Sequence, residues 1–557
     1  MNIKKSSFLP YVVLICSQSA YAASLPGAGG QMQQIPPVPI PKIAAPGIAV
    51  APNPIPVMPE SKGIKILVHR VNVTGSHVYS AADLLQVSGF ESGREWTLSE
   101  LQEMATKITD YYHRNGYFVA QAYLPAQDIQ DNTVTIAVLE GRYGKITLKN
   151  QTNLSDDLAN SLLAGLNPGD VVASAPLENH LLPLADLPGV KVESSLIPGA
   201  SEGTTDLLVD VTPGQRVTGS FDADNAGNRY TGAYRMGTTV NLNNPTGHGD
   251  IATLRAITAG SGLYYGRVSY QIQFVKTKVG VAYSALDYHL GKNYDSLEAN
   301  GTAQIVSLYA DHPLIRTRDN NLNSQISYDH KLFRDKVDTT STVTDKEVDV
   351  VMGSLYGDHT DMFGGGGLSS YSVNWSLGNF DLQTPVEQRM DVSTAHSNGG
   401  YQKLGLKVTR LQKVTETLSL YGSLIGQIAS KNLSLSEKME LGGMYGVRAY
   451  PEGEGDGDEG YIANLEARLL LPKWIEAMPG QQYVIGFVDT GTIRANKHPW
   501  NNTPNSRTLS GGGMGLNWMA NNNLTLNAYY AHKLGNAVVT SGPDAAGQYW
   551  IQVVHFF

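Results

Sequence analysis

The chain has 557 residues, of which 41% are hydrophobic and 16% charged, with 41 basic residues against 50 acidic ones. Soluble domains carry about a quarter charged residues, so this length allows several domains but the composition is not that of an ordinary soluble protein. The acidic balance excludes the basic footprint of a nucleic-acid binder, and a lone cysteine, Cys16, excludes a disulfide framework and a thiolate metal centre.

Residues 1–22 read as a secretory signal. Lys4 and Lys5 form its basic start, residues 8–16 its apolar core, and Ala20-Tyr21-Ala22 a small-x-small cleavage site. The apolar run is too short for a membrane anchor, and Ile15 precedes Cys16 where a lipoprotein signal has a small residue. Cleavage removes Lys4, Lys5 and Cys16, leaving 39 basic residues, 50 acidic ones and no cysteine. No later run of ~18 apolar residues could form a spanning helix. The product is therefore periplasmic, extracellular, or an outer-membrane β-barrel.

Residues 23–62 read as a linker. Ten prolines fall between Pro26 and Pro59. Such a segment cannot pack a core and is expected to be extended and semi-rigid.

Residues 63–213 mix helix and strand in two cycles of strand-helix-helix-strand-strand, divided here as 63–144 and 145–213. Residues 66–73 alternate as a strand. Thr97-Leu98-Ser99-Glu100 forms a capping box, and Leu101, Met104, Ala105, Ile108 and Tyr112 follow at helical spacing. Asn115-Gly116 ends that helix, with Gly116 suited to a left-handed cap. His113 reads as a solvated residue at the helix end. Strands are expected over 117–125 and 133–141. The second cycle opens on a strand at Lys145, continues in helices near 154–166 and 177–187, and closes on two strands.

From Gly214 to Phe557 the period becomes two. Tyr264, Gly266, Val268, Tyr270, Ile272 and Phe274 alternate with Tyr265, Arg267, Ser269, Gln271 and Gln273. Tyr234, Met236, Thr238, Val240 and Leu242 alternate with Arg235, Gly237, Thr239 and Asn241. Segments of ~10 alternating residues between turn signals mark a transmembrane β-barrel with a polar lumen. A soluble β-sandwich or β-helix is the competing reading, disfavoured by the abundance of glycine and tyrosine. The length suits about 16 strands. Tyr549, Ile551, Val553 and Phe557 share a face of the last strand, an arrangement similar to the assembly signal of Gram-negative outer-membrane barrels.

These residues resemble the TpsB outer-membrane transporters of two-partner secretion. The resemblance covers nearly all of the chain after the linker. Residues 111–125, YYHRNGYFVAQAYLP, look like the signature of a first POTRA domain. Its Tyr112, Asn115, Gly116, Tyr117, Ala122, Leu124 and Pro125 would mark the cargo-recognition region. Residues 224–232 followed by 243–250 look like the start of the family's barrel. Val447-Arg448-Ala449-Tyr450 looks like the motif at the tip of a long loop, around 442–461, that folds back into the lumen. Ala449 stands where the family has glycine, and alanine disfavours positive φ. Gly457, Asp458 and Gly460 match downstream. Gly486, Phe487, Asp489 and Gly491 match the barrel-wall pattern whose aspartate pairs with the loop arginine.

The resemblance implies a transmembrane antiparallel β-barrel of about 16 strands behind two small α+β POTRA domains. It implies export of a secreted TpsA-type exoprotein, with the POTRA domains in the periplasm recognising the cargo. The implied surroundings are outer-membrane lipid, the barrel-assembly machinery during biogenesis, and a monomeric state. No cofactor, metal or enzymatic activity is expected, since nucleophile-elbow, zincin and P-loop motifs do not occur. The competing functions are an insertase for other membrane proteins, a diffusion porin, and a surface adhesin or hydrolase. Glu452, Glu454, Asp456, Asp458 and Glu459 could suggest calcium, but the run lacks EF-hand order and reads instead as a solvated, flexible acidic stretch. Many family members carry a helix that plugs the barrel. Here about a dozen residues precede Pro36, which is marginal for a helix on its own, so the plug is absent, short, or replaced by the proline-rich segment.

Overall fold

A computed structural model describes residues 25–39, 48–50, 65–472, 479–520 and 523–557. The signal at 1–22 and most of the linker lie outside the described residues. Among the described residues no helix is long and apolar enough to cross a membrane.

The first α/β unit builds a sheet from the strands Arg70–Thr74, Thr133–Leu139 and Gln121–Tyr123. The strand expected over 66–73 is broken at His69, because the chain changes partner there. Lys65–Val68 pairs with Arg94–Thr97, whereas Arg70–Thr74 runs parallel to Thr133–Leu139. The helix Leu98–Arg114 starts on the capping box, with the Glu100 amide donating to Thr97 Oγ1 and the Thr97 amide to the Glu100 carboxylate. Leu101, Met104, Ala105, Ile108 and Tyr112 all face the core. The chain turns at Gly116 with φ +89°.

The second unit contains the strand Arg142–Asn150, the helices Asp156–Leu163 and Ser174–Ala185, and the strands Val190–Pro198 and Thr204–Pro213. The division placed at 144/145 therefore falls inside a strand, and Tyr143 is already in the second core. The linker also departs from expectation. Its residues Ile48–Val50 form a strand parallel to Val190–Pro198 and complete a four-stranded sheet.

The remaining strands close into one antiparallel barrel of 16, from Val217–Asp224 to Gly547–Phe556. The period-2 faces separate as the pattern demands. Met236, Leu242, Tyr264, Val268, Phe274, Leu308, Ile326 and Trp375 are exposed on the outer wall, while Arg235, Arg255 and Gln273 are buried inside. An apolar outside and a polar inside is the inverse of a soluble protein, and places this wall in lipid. On the outer side of the seventh and eighth barrel strands, Asn320–Val337 and Thr342–Asp361, His330 meets Asp349 at 2.9 Å, with Glu347 beside them. This cross-strand cluster is invisible to ligand spacing along the chain.

The second α/β unit stands at one rim, and the first is joined to it. There the second unit is fastened to the turns between barrel strands: Arg316 holds Asp186 with two hydrogen bonds of 2.7 and 2.8 Å, and Lys276 Nζ donates to the Asn179 carbonyl.

The barrel seam is short, running from Ser220 opposite Phe556 to Asp224 opposite Gln552. Gly219 and Phe557 extend it by exchanging backbone hydrogen bonds of 3.0 and 3.1 Å, and the Phe557 ring packs on Phe221. Tyr549, Ile551 and Phe557 are exposed on the outer wall, and Val553 shares their face at lesser exposure. Deleting Phe557 removes both bonds and the ring contact from the weakest register of the barrel. The expected outcome is a smaller fraction of folded, heat-modifiable barrel on electrophoresis, with Phe557→Tyr close to wild type.

Candidate functional site

Between the eleventh barrel strand, Leu418–Ala429, and the twelfth, Glu459–Leu470, the chain folds back into the lumen. Met439–Glu440 and Asp456–Gly457 pair as a short ribbon. Beyond it the tip is closed by backbone bonds, from the Leu441 amide to Gly455, the Val447 amide to Leu441 and the Tyr450 amide to Val447. Val447, Ala449 and Tyr450 are fully buried.

Arg448 is 5% exposed and Asp489, on the wall strand Gln481–Arg494, is fully buried. Arg448 Nε and Nη2 donate to the two Asp489 oxygens at 2.8 and 2.7 Å, and the Arg448 amide also reaches Asp489. The guanidinium has a second carboxylate: Nη1 donates to Glu466 at 2.7 Å. Arg468 holds the other Glu466 oxygen, and Asn464 bridges Asp489 to the Gly446 carbonyl. Two cations thus meet two carboxylates, and the buried group is close to neutral. The Phe487 ring lies under the guanidinium at 3.6 Å, a cation–π contact. Trp550 of the sixteenth strand donates from Nε1 to the Arg448 carbonyl at 2.7 Å.

The other motif glycines allow close approach. A Cβ on Gly457 would meet Ile493 at 2.6 Å, one on Gly460 the Thr492 carbonyl at 2.5 Å, and one on Gly491 Leu441 at 2.6 Å. Gly486 opens to the outer side. Ala449 does not take a positive φ, so the alanine is unstrained. Its methyl lies where a Cβ on Gly511 would sit, 2.4 Å away.

The acidic run is not a solvated, flexible stretch. Glu454 is fully buried, gripped by Arg507 and by the amides and hydroxyls of Thr540 and Ser541. Asp458 is fully buried and accepts from the Leu433 and Lys497 amides, with Lys438 at 3.2 Å. Glu452 accepts the Met444 amide at 2.9 Å. These carboxylates accept from backbone N–H groups that find no ladder partner among the described residues, a role that acids between glycines can fill in a crowded lumen.

A family model for the haemolysin secretion/activation proteins ShlB/FhaC/HecB matches residues 203–518, and one for the ShlB-type POTRA domain matches residues 66–141. The chain belongs to this family of two-partner secretion transporters. It is 28% identical to the heme/hemopexin transporter protein HuxB of Haemophilus influenzae over 84% of this chain and 82% of that protein. It is 23% identical to the outer membrane transporter CdiB of Dickeya dadantii, over 75% of this chain and 74% of that one. The structure of CdiB from Escherichia coli superposes with a TM-score of 0.68 at 20% identity, covering 91% of this chain and 94% of that one. BamA from Haemophilus ducreyi, lacking its first three POTRA domains, superposes at 0.53 with 14% identity over 89% of this chain and 100% of that one, a likeness of fold alone. The chain is therefore an outer-membrane transporter whose N-terminal POTRA region stands in the periplasm.

The transporter carries a short plug. Ala28–Gln33 is a six-residue helix inside the barrel, far below the length at which helices persist in water. The lumen holds it instead. The Ala28 amide donates to Asp335, Thr231 to the Gln31 side chain, and Asn228 and Arg235 to Gln34. Gln34 in turn reaches Glu440 of the lumenal loop at 3.1 Å, so plug and loop touch.

The POTRA signature is mostly architecture. Tyr112 is fully buried and donates to Glu140, and burial beside that carboxylate pushes its hydroxyl above the ordinary range. Ala122 is also in the core. Neither can touch cargo, which corrects the expectation for them. Tyr117 packs edge-on against Tyr112 and Tyr79, while Leu124 lies against the same core and Pro125 ends that segment. Asn115 caps the helix, and His113 is tied to the Ala120 carbonyl rather than left to solvent. The Gly116 carbonyl accepts both the amide and hydroxyl of Ser174, and Phe118 and Val119 pack on the second core. The signature thus includes the joint between the two α/β units.

Sequence reasoning missed Glu466, Trp550, Gln34 and the Glu454 clamp. Glu466 and Trp550 signal themselves only as a polar and an aromatic residue at inward strand positions, whereas Gln34 lies in the proline-rich segment and Glu454 in the acidic run.

Two outcomes are expected. Arg448→Ala leaves two buried carboxylates short of a cation and should cost about 3–5 kcal/mol. Asp489→Ala should cost less, because Glu466 remains, and the double variant should lie near Arg448→Ala. Protease access to the loop and thermal unfolding in detergent measure this, and additive losses would sink the pairing. Separately, Gly511→Ala should clash with the Ala449 methyl and lower the unfolding temperature, and Ala449→Gly should restore it.

Proposed function

We propose that this transporter exports a TpsA-type exoprotein of the adhesin, haemolysin or contact-dependent inhibition class, and that the structure is its resting state. The observation that carries this is the double occupancy of a 16-stranded lumen by the plug and by the loop that Arg448 anchors. Both must leave for a polypeptide to thread the barrel. The Arg448 cluster then acts as a latch, strong enough to hold the loop and confined to one side of the lumen.

Residues 142–213 serve as a second POTRA domain, since they repeat the strand-helix-helix-strand-strand order and abut the barrel rim. The chain works as a monomer surrounded by outer-membrane lipid. The outer face of Tyr549, Ile551, Val553 and Phe557 serves the barrel-assembly machinery during insertion. The lumenal occupancy also separates this reading from a diffusion porin, whose lumen must stand open to solutes. The insertase alternative has the shared fold in its favour and nothing else on this chain.

Deleting residues 63–213 should abolish secretion of the exoprotein encoded beside the transporter, while the barrel still reaches the outer membrane. Undiminished secretion by such a barrel overturns cargo recognition by the POTRA pair.

A further inference from the structure

The outer wall holds three metal-ligating side chains that the lumenal contacts do not use. His330 lies directly opposite Asp349 across the seventh and eighth barrel strands, and Glu347 is the next outward residue on the eighth. One imidazole nitrogen and one oxygen of each carboxylate all lie within 4.8 Å of one another. His330 Nδ1 is 2.9 Å from Asp349 and 3.9 Å from Glu347. Donor atoms around a tetrahedral zinc ion, at bond lengths of about 2.0–2.2 Å, stand about 3.4 Å apart, so small side-chain shifts bring these three onto one ion. Both carboxylates are also steadied from outside the group. Tyr328 donates to Asp349 at 2.6 Å, and Gln383 donates to the other Glu347 oxygen at 3.2 Å, as outer partners orient the ligands of a metal.

The height of the group on the wall follows from the strand. Asn320–Val337 leaves the rim where Arg316 holds Asp186, and His330 lies 10 residues beyond Asn320. At the rise and tilt of barrel strands this is about 25 Å, the height of the apolar band. Ile326, Val351, Leu355 and Trp375 are exposed on the wall below it. The protein does not balance its charge. Asp381, opposite Glu347 on the ninth strand, Gly367–Leu382, adds a third carboxylate. On the other side, the sixth strand, Ala299–Arg316, sets only Val306 and Gln304 beside His330 and Leu332. Lys331 and Lys346 point inward to Glu437 and Asp335, and Arg334 is taken by Asp345. Lys336 faces Val343, three outward rows higher. Adjacent carboxylates repel, and a proton on His330 offsets one of their two charges, whereas a divalent cation offsets both.

We propose that His330, Glu347 and Asp349 bind one divalent transition-metal ion of the zinc or manganese kind, which clips the seventh strand to the eighth at the headgroup level far from the periplasmic rim. The imidazole selects such ions over magnesium and calcium, which prefer an all-oxygen shell. The remaining coordination positions open outward, beside a groove of about 410 Å³ lined by Asp349, Leu377, Asn379, Gly400 and Gln402, with room for water ligands. The site depends on no part of the export reading.

Zinc chloride is the probe. The full-length transporter in detergent micelles, stripped with EDTA and titrated by calorimetry, should bind an equivalent of zinc with a micromolar or tighter Kd. His330→Ala should lose that equivalent, and the pair Glu347→Gln with Asp349→Asn should weaken it at least tenfold, with heat-modifiable mobility on electrophoresis showing that the barrels are folded. No zinc bound by the wild type, or the same equivalent kept by His330→Ala, overturns the site. A second measurement needs no substitution. Diethyl pyrocarbonate acylates free imidazoles, and zinc should slow labelling of His330 at least fivefold, read by mass spectrometry of the digested protein. His359, exposed near the opposite rim, should react as before. Labelling of His330 that zinc leaves unchanged overturns the site even where the variants do not fold.

Discussion

A guanidinium taken out of water must find its charge and its hydrogen bonds again, and Arg448 finds both inside the barrel. Asp489 supplies two oxygens in the plane of the fork, Glu466 supplies a third, and Phe487 offers its ring face. Each contact comes from a different place. Asp489 and Phe487 belong to the thirteenth strand, Glu466 to the twelfth, and the Trp550 indole that holds the Arg448 carbonyl to the sixteenth. The loop can satisfy Arg448 in one seat only. That seat fixes where the tip lies, and the tip fixes the path of the residues on either side.

The rest of the loop follows from the same demand for satisfaction. A segment laid across a lumen has no ladder to bond to, so its amides and acids need individual partners. Gly453 and Gly455 adopt positive φ, at 77° and 79°, and turn the chain so that Glu454 faces Arg507, Thr540 and Ser541. Glu440 takes the Gly453 amide on one side and the plug's Gln34 on the other. Ala449 fits because the wall residue facing its methyl is Gly511, where a Cβ would come within 2.4 Å of it. The lumen is filled by matched surfaces rather than by slack.

Legibility in the sequence tracked the range of the interactions. The outward and inward faces of the barrel were legible because alternation is local and repeats in every strand. The capping box and the apolar stripe of Leu98–Arg114 were legible for the same reason. Arg448 and Asp489 could be joined across 41 positions only through family resemblance. Glu466 could not, since a glutamate on an inward face looks like any lumenal polar residue. The acidic run misled because glycine and acid are also the composition of a flexible segment, and Thr540 and Ser541 lie 86 and 87 residues away. The plug was undecidable for a physical reason. Six residues have almost no helical stability of their own, so its existence belongs to Asp335, Thr231 and Arg235 rather than to its own sequence.

The proline-rich segment ties these parts together. Gln34 is held in the lumen and Ile48 at the sheet edge. Thirteen residues lie between them, fourteen Cα steps with a reach of at most about 50 Å when fully extended. Each anchorage therefore raises the effective concentration of the other, and loss of one weakens its counterpart without any direct contact between them. The lumenal helix is held by polar bonds and by the packing of Ala28, Met32 and Ile35 on the inner wall, and the chain that follows it reaches a strand on the periplasmic sheet. The lumen and the periplasmic domains are in this way coupled through covalent chain, by the same stretch of sequence whose composition alone would have marked it as a spacer.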